Sequence, residues 1–286
     1  MYTVFIQSYN SPEKCNTLNV LKKYNFNNNY YIVIGNDDPK INRYKEIYSD
    51  DVLLIFNKEK YKLSTETISS PKKDCSAVYA KNFIEDFVIS NNIYNFLIID
   101  DDLEQFRYKI PDTEGHIRSR EIDNVDEIFD MCFEYMNNSH IDGMSFGAQY
   151  VYMGGLNSYY GFKKRVITNM YLRTTEHKID WKSLVFDDFN TSLDISNKGY
   201  VFLMLPPVGM VFAPQYFQLI NKETSQSKGC GLQQLYDDTD SFERAFYSTV
   251  ICPSAVKPNK IKKVYMPHIK VDNVFPKIIS CKFKKS

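Results

Sequence analysis

The sequence predicts an α/β domain, a mostly parallel sheet flanked by helices. Short β-rich runs alternate with segments whose apolar residues recur at helical spacing. Phe96-Leu97-Ile98-Ile99 is apolar throughout, the pattern of a strand buried on both faces of a parallel sheet. No internal repeat or low-complexity linker interrupts the 286 residues, so one compact domain is expected.

Thr3 to Gln7 alternates and is rich in β-formers, and Tyr30 to Ile34 does the same before the turn Gly35-Asn36-Asp37-Asp38. Both read as strands ending in polar loops. Asp51 to Phe56 predicts a third strand. Ser76 is a candidate N-cap for a helix in which Ala80, Phe83, Ile84, Phe87 and Val88 share a face, and that helix leads into the apolar run at 96–99. Val125, Ile128, Phe129, Cys132, Phe133 and Met136 mark a second helix, with a strand following at Gly143 to Phe146. Phe189 to Lys198 reads as a helix stopped by Gly199 at the C′ position, leading into a strand over Tyr200 to Leu205.

A hydrophobic content of 43% with 24% charged residues is ordinary for a folded soluble protein and excludes disordered and collagen-like classes. The longest apolar stretch, Val201 to Ala213, is shorter than the ~20 residues a membrane span needs, and Pro206-Pro207 interrupts it. No basic then apolar leader precedes Met1-Tyr2-Thr3-Val4, so no signal peptide is expected. The cysteines at 15, 75, 132, 230, 252 and 281 form no CxxC pair and read as reduced thiols of a cytoplasmic protein. Lys+Arg 35 balance Asp+Glu 35, but unevenly: Val250 to Ser286 holds nine lysines against the single acid Asp272. That segment reads either as a basic strip for a polyanion or as a solvated lysine tail.

The most informative segment is Asp100-Asp101-Asp102, directly after the apolar run. In an open α/β sheet ligands bind beyond the carboxyl ends of the strands, and consecutive carboxylates there repel one another unless a cation joins them. Mg²⁺ or Mn²⁺, which binds one or two carboxylates together with phosphate oxygens, suits such a turn and a nucleoside diphosphate. The alternative is a solvated acidic turn that merely ends a strand.

The order of motifs adds context. Ser8-Tyr9-Asn10-Ser11-Pro12 follows the first strand, Asp37-Asp38 ends the second, and Ala80-Lys81-Asn82 lies in the helix before the acidic turn. Phe186-Asp187-Asp188-Phe189 then precedes Lys198-Gly199-Tyr200. From about residue 3 to about residue 205 this order resembles the nucleotide-sugar glycosyltransferases of the Rossmann-like GT-A fold. Within that fold it looks most like the TET-associated group of DNA-base glycosyltransferases, which includes phage members and the base J glucosyltransferase.

The resemblance implies roles. Asp100 and Asp102 match the Asp-x-Asp motif that holds Mn²⁺ or Mg²⁺ on the diphosphate of a UDP-sugar, and Asp101 either faces the sugar or is structural. Ser8 and Tyr9 fall on the donor side. Asp37, with Asp38 beside it, matches the acid that hydrogen-bonds the nucleotide base or ribose. Lys81 stands where the family usually has Arg in Ala-Arg-Asn and would meet a phosphate as a point charge, with Asn82 alongside. Asp188 matches the catalytic base of the second acidic motif, and Asp187 is the alternative because the pair is Asp-Asp rather than Glu-Asp. Both also read as helix N-terminal acids favoured by the macrodipole. His268 is a candidate late metal ligand, or a plain loop residue. Residues 1–215 would form the donor-binding and catalytic core, and 216–286 would complete the site within the same domain.

For the acceptor, the expected loop from Phe106 to Arg120 supplies Arg107, Lys109, Arg118 and Arg120, the aromatic stretch at 150–165 supplies Tyr159 and Tyr160, and the basic strip adds Lys262 and Lys263. Aromatic faces stack on a sugar or an extruded base, and basic groups hold phosphates. The implied reaction is an inverting, metal-dependent transfer to a hydroxymethylated pyrimidine, such as hydroxymethylcytosine, in duplex DNA. The wealth of Asn, Lys, Tyr and Ile fits an AT-rich genome such as a bacteriophage's. Two alternatives remain at this point: the same transfer to a cell-envelope polysaccharide, lipid or protein, and a catalytically inactive nucleic-acid-binding module.

Overall fold

The computed structural model describes residues 1–62, 77–148, 168–212, 240–261 and 264–270. Its main sheet contains β1 (Thr3–Gln7), β2 (Asn29–Gly35), β3 (Leu53–Phe56), β4 (Asn95–Asp100), β5 (Leu103–Pro111), β6 (Ile117–Glu121), β7 (Gly143–Ala148), β8 (Met170–Thr174) and β9 (Phe202–Phe212). The helices are α1 (Asn16–Lys23), α2 (Ile41–Ile47), α3 (Lys58–Lys62), α4 (Val78–Ser90), α5 (Val125–Asn137), α6 (Asp187–Asn197) and α7 (Ser241–Ile251). Strand order is β3-β2-β1-β4-β8-β7-β9-β5-β6. The pairings make β5 and β8 run against all the others, so the sheet is mostly parallel, as expected.

Side chains alternate across each strand, and the two faces become two cores. Val4, Ile6, Leu97, Ile99 and Leu172 pack with α1, α2 and α5 on one face. Phe5, Val33, Phe96, Ile98 and Tyr171 pack with α4, Trp181 and α6 on the other. A smaller cluster of Leu193, Cys252, Ala255 and Val256 seats α7 and the hairpin of β10 (Val256–Ile261) and β11 (Val264–Ile269) beside α6. Cys15, Cys132 and Cys252 are buried free thiols. Among the described residues no helix is long and apolar enough to cross a membrane.

The structure corrects the sequence reading in two places. Residues 103–121 form the β5–β6 hairpin rather than a loop. A register shift between Leu103 and Gln105 breaks the period-two pattern that would have marked β5, while Leu103 and Phe106 still reach the core. Pro206-Pro207 does not end its strand either. β9 pairs β7 up to Leu205 opposite Phe146 and resumes with Gly209 opposite Gly147, so the prolines fall in the irregularity, where no ladder donor is required. Gly199, by contrast, adopts the expected left-handed C′ conformation at φ 91°, with Tyr200 N donating to Ile195 O at 3.2 Å. Ser76 lies outside the described residues, and its helix is seen from Val78.

Candidate active site

Parallel pairing of β1 with β4 sets Gln7 against Asp100 at the carboxyl end of the sheet. The Gln7 amide donates to Asp100 Oδ1, and Asn169, in the left-handed region at φ 65°, donates to Oδ2 at 3.1 Å. Thr17 of α1 clamps the turn from the other face: its hydroxyl donates to the Asp100 carbonyl at 2.5 Å and accepts from Leu103 N at 3.0 Å. Asp101 turns back toward β1, where Ser8 donates to its carboxylate and also meets the Tyr44 hydroxyl at 2.7 Å. Asp102 is different: its Oδ1 is buried and has no hydrogen-bond partner among the described residues. Burial first, with repulsion between neighbouring carboxylates added, pushes Asp100, Asp101 and Asp102 each up to about 7.

Toward the β1–β2–β3 end, Asp38 is buried and accepts from Asn10 N and Lys40 N, both at 2.8 Å, closing the loop against β1. Asp37 stays half-exposed and accepts from Lys58 Nζ at 2.6 Å. Lys58 is itself buried, with its ammonium 5.7 Å from the Tyr9 ring centre and 5.8 Å from that of Tyr79. Neither Lys58 nor Tyr44 stood out in the sequence, because a single Lys or Tyr after a strand has no distinguishing spacing.

Facing the acidic turn, α6 begins with the second acidic pair. Phe186, at φ 50°, precedes it in the left-handed region, and Ser183 does so too at φ 73°. A bulky residue there is strained, and the surrounding bonds explain how it is held. Asn190 donates to Ser183 Oγ at 2.9 Å and to Val185 O at 3.0 Å, tying the helix to the loop before it. Lys81 of α4 is buried and reaches both acids, 2.6 Å from Asp187 Oδ2 and 2.6 Å from Asp188 Oδ1. The Tyr171 hydroxyl of β8 also donates to Asp188. Burial alone would push Lys81 down, but the charges of Asp187, Asp188 and Asp100 hold it well above its ordinary value. Tyr171 is likewise held far up, by burial and then by the Asp188 and Asp187 charges.

Asn82 spends both ends of its amide on the Trp181 backbone, accepting from its N at 2.8 Å and donating to its O at 2.9 Å. Below it, Glu85 and Arg173 form a wholly buried ion pair at 3.4 Å, and Arg173 also donates to the carbonyls of Asp142 at 2.5 Å and His177 at 2.7 Å. Lys81 and Asn82, read from the sequence as donor contacts, therefore sit with the second acidic motif and the loop beneath it.

On the β5–β6 hairpin, Arg107 donates to Gln105 at 2.7 Å, Lys109 to Ser119 at 3.2 Å and Arg118 to Asp112 at 2.7 Å, and Arg120 is exposed. His268 is exposed on β11 opposite Lys257. Among the described residues the donor atoms that gather in threes are those of Asp112, Glu114 and His116 at the hairpin tip, not His268 with the acidic turn. Tyr159, Tyr160, Lys262 and Lys263 lie outside the described residues.

Among solved structures, the chain is similar to glucosyl-3-phosphoglycerate synthase from Mycobacterium tuberculosis. In its complex with Mg²⁺ and uridine diphosphate the TM-score is 0.47 at 7% identity, over 94% of this chain and 86% of that chain. In its complex with Mn²⁺, uridine diphosphate and phosphoglyceric acid the TM-score is 0.47 at 8% identity, over the same 94% and 86%. No curated protein sequence matches the chain. A sequence model of the TET-associated glycosyltransferases matches residues 2–226, a span holding the β1 loop, the acidic turn and the Asp187–Asp188 pair alike, and the chain belongs to that family.

Proposed function

We propose that this protein transfers a sugar from a UDP-sugar to the hydroxymethyl group of a pyrimidine in duplex DNA, with inversion at the anomeric carbon. The observation that carries the donor half is the buried Oδ1 of Asp102, without a hydrogen-bond partner among the described residues, beside the anchored Asp100. A buried carboxylate oxygen without a donor is costly, and neighbouring acids raised to about 7 fit a hard divalent cation far better than they fit solvent or each other. Asp100 and Asp102 would hold Mn²⁺ or Mg²⁺. The ion supplies charge neutralisation for the departing diphosphate.

The chain's own groups divide the remaining work. Asp37, held by Lys58 and open to solvent, offers an acceptor to the nucleoside, with Tyr9 and Ser8 on the adjoining loop. Asp101 is the structural member of the acidic turn, since it closes onto Ser8. A carboxylate of the Asp187–Asp188 pair takes the proton of the acceptor hydroxyl as its oxygen attacks the anomeric carbon, a contribution of roughly 10²- to 10⁴-fold. The intact acids support an enzyme over an inactive binding module. The DNA acceptor is supported by the family resemblance and by Arg107, Lys109 and Arg120 on the last two strands.

The test is a screen of UDP-sugars with Mn²⁺ or Mg²⁺ against duplexes containing hydroxymethylcytosine or hydroxymethyluracil, read by mass spectrometry. One hexose or pentose added to the modified base is the expected result. Metal-dependent donor hydrolysis with no transfer to any such duplex would overturn the acceptor, and absence of metal-dependent turnover with every donor would overturn the enzyme.

A further inference from the structure

The acidic pair that opens α6 is not symmetric. Lys81 Nζ bridges Asp187 Oδ2 and Asp188 Oδ1, and the Tyr171 hydroxyl converges on that same Asp188 Oδ1. Two donors thus saturate one oxygen of Asp188, while no hydrogen bond from the described residues reaches its Oδ2. The Asp188 side chain is 20% exposed, against 9% for Asp187 and 3% for Lys81. Lys81 reaches only one oxygen of Asp187 as well, so it is the greater exposure of Asp188 that singles out its Oδ2.

Both donors are themselves fixed. The Lys81 ammonium lies 4.8 Å from the Tyr171 ring centre and 4.7 Å from that of Trp181, and the two rings meet edge to face at 4.6 Å. Asn82, one residue along α4, locks the Trp181 backbone, and the Glu85–Arg173 pair lies beneath. Such a frame leaves Asp188 one orientation. A general base needs that, because a misplacement of about 1 Å at a reacting atom lowers rates on the order of 10²-fold. The single positive charge of Lys81, shared by both acids, also offsets their repulsion at a desolvated site.

We propose that Lys81 and Tyr171 are positioning residues that pin Oδ1 of Asp188, so that Oδ2 of Asp188 is the atom that takes the acceptor proton and Asp187 is the second anchor of Lys81. This rests on the transfer reaction proposed above. In that step the acceptor O–H bond breaks and its proton passes to Oδ2. The acceptor oxygen bonds to the anomeric carbon, and the bond from that carbon to the nucleoside diphosphate breaks with its electron pair leaving on the diphosphate.

The test is a double-mutant cycle on kcat with Tyr171→Phe, which removes one oxygen and keeps the ring over Lys81, and Asp188→Asn. Tyr171→Phe lowers kcat by about 10- to 100-fold with the donor KM and UDP affinity within about twofold. The double variant is no slower than Asp188→Asn alone, because the hydroxyl acts only through that carboxylate. Multiplying losses, or an Asp187→Asn enzyme slower than Asp188→Asn, would overturn the assignment. In protein labelled with ¹³Cγ-aspartate, the resonance missing from Asp188→Asn is the one that Tyr171→Phe displaces; an unmoved resonance also overturns it. That spectrum needs no acceptor. If DNA is not the acceptor, the cycle is run on whichever hydroxyl, water included, receives the sugar, which keeps the two failures apart.

Discussion

Thr17 is where the acidic turn can be loosened without touching an acid. It is wholly buried, its hydroxyl donates to the Asp100 carbonyl, and it accepts the Leu103 N–H on the far side of the turn. Thr17→Val preserves shape and helix propensity but removes both bonds. The stranded Leu103 N–H costs about 1–3 kcal/mol and the lost bond to Asp100 about 0.5–1.5 kcal/mol, together about 1.5–4.5 kcal/mol. Thr17→Ser keeps the hydroxyl and loses one buried methyl, about 1 kcal/mol. Urea denaturation followed through the single tryptophan, Trp181, which is buried, measures both variants. The Val variant should also bind Mn²⁺ at least several-fold more weakly by calorimetry, since the carboxylates on either side of the clamp lose their register. A Val variant as stable as the Ser variant, with unchanged Mn²⁺ affinity, would show that Thr17 does not set the turn.

Four further outcomes are expected. Asp102→Asn should abolish measurable Mn²⁺ binding and lower transfer by at least about 10²-fold. In the unsubstituted protein Mn²⁺ affinity should fall between pH 8 and pH 6: the acids raised to about 7 bind the ion only when deprotonated, so protons win as pH drops through that value, and equal affinity at both would contradict it. Glu85→Gln leaves Arg173 charged and unpaired in the core and should destabilise by about 3–5 kcal/mol in the same denaturation assay. Replacing Arg107 and Lys109 together by Ala should weaken duplex binding and reduce the slope of log affinity against log salt by about 2; an unchanged slope in a filter-binding titration removes the β5–β6 face from the DNA contact.

The parallel half of the sheet was legible because its strands are short apolar runs rich in β-formers, as at Phe96 to Ile99 and Val4 to Ile6, although β1, expected to alternate, is buried at all of its positions. Gly199 marked the end of α6 because few other residues adopt its conformation cheaply. What escaped had a physical reason each time. The bulge after Leu103 hid β5, and Arg173 hid β8 by putting a charge at a position that is wholly buried only because Glu85 is there to pair it. The candidate acids stood out in the sequence, since a run of carboxylates beyond a core strand is rare enough to notice. Their supporting groups were not: Thr17, Tyr44, Lys58 and Tyr171 are single polar residues whose partners are far along the chain. Lys81 lies 106 positions from Asp187, and no spacing rule joins them.

The reversed strand β8 carries a consequence for how such a chain can vary. Tyr171 pairs with Ile98 and Arg173 with Phe96, both on the α4 face, while Met170 and Leu172 point to the opposite core. A one-residue slip would exchange every one of these, offering Asp188 a thioether or an isobutyl group and driving a guanidinium toward α5. Insertions or deletions just before β8 are therefore tolerated only if the connection absorbs them before Met170. Natural variation in length should accumulate upstream of Asn169, whereas the interval between Asn169 and Arg173 should stay fixed at its present count even in chains that share little else.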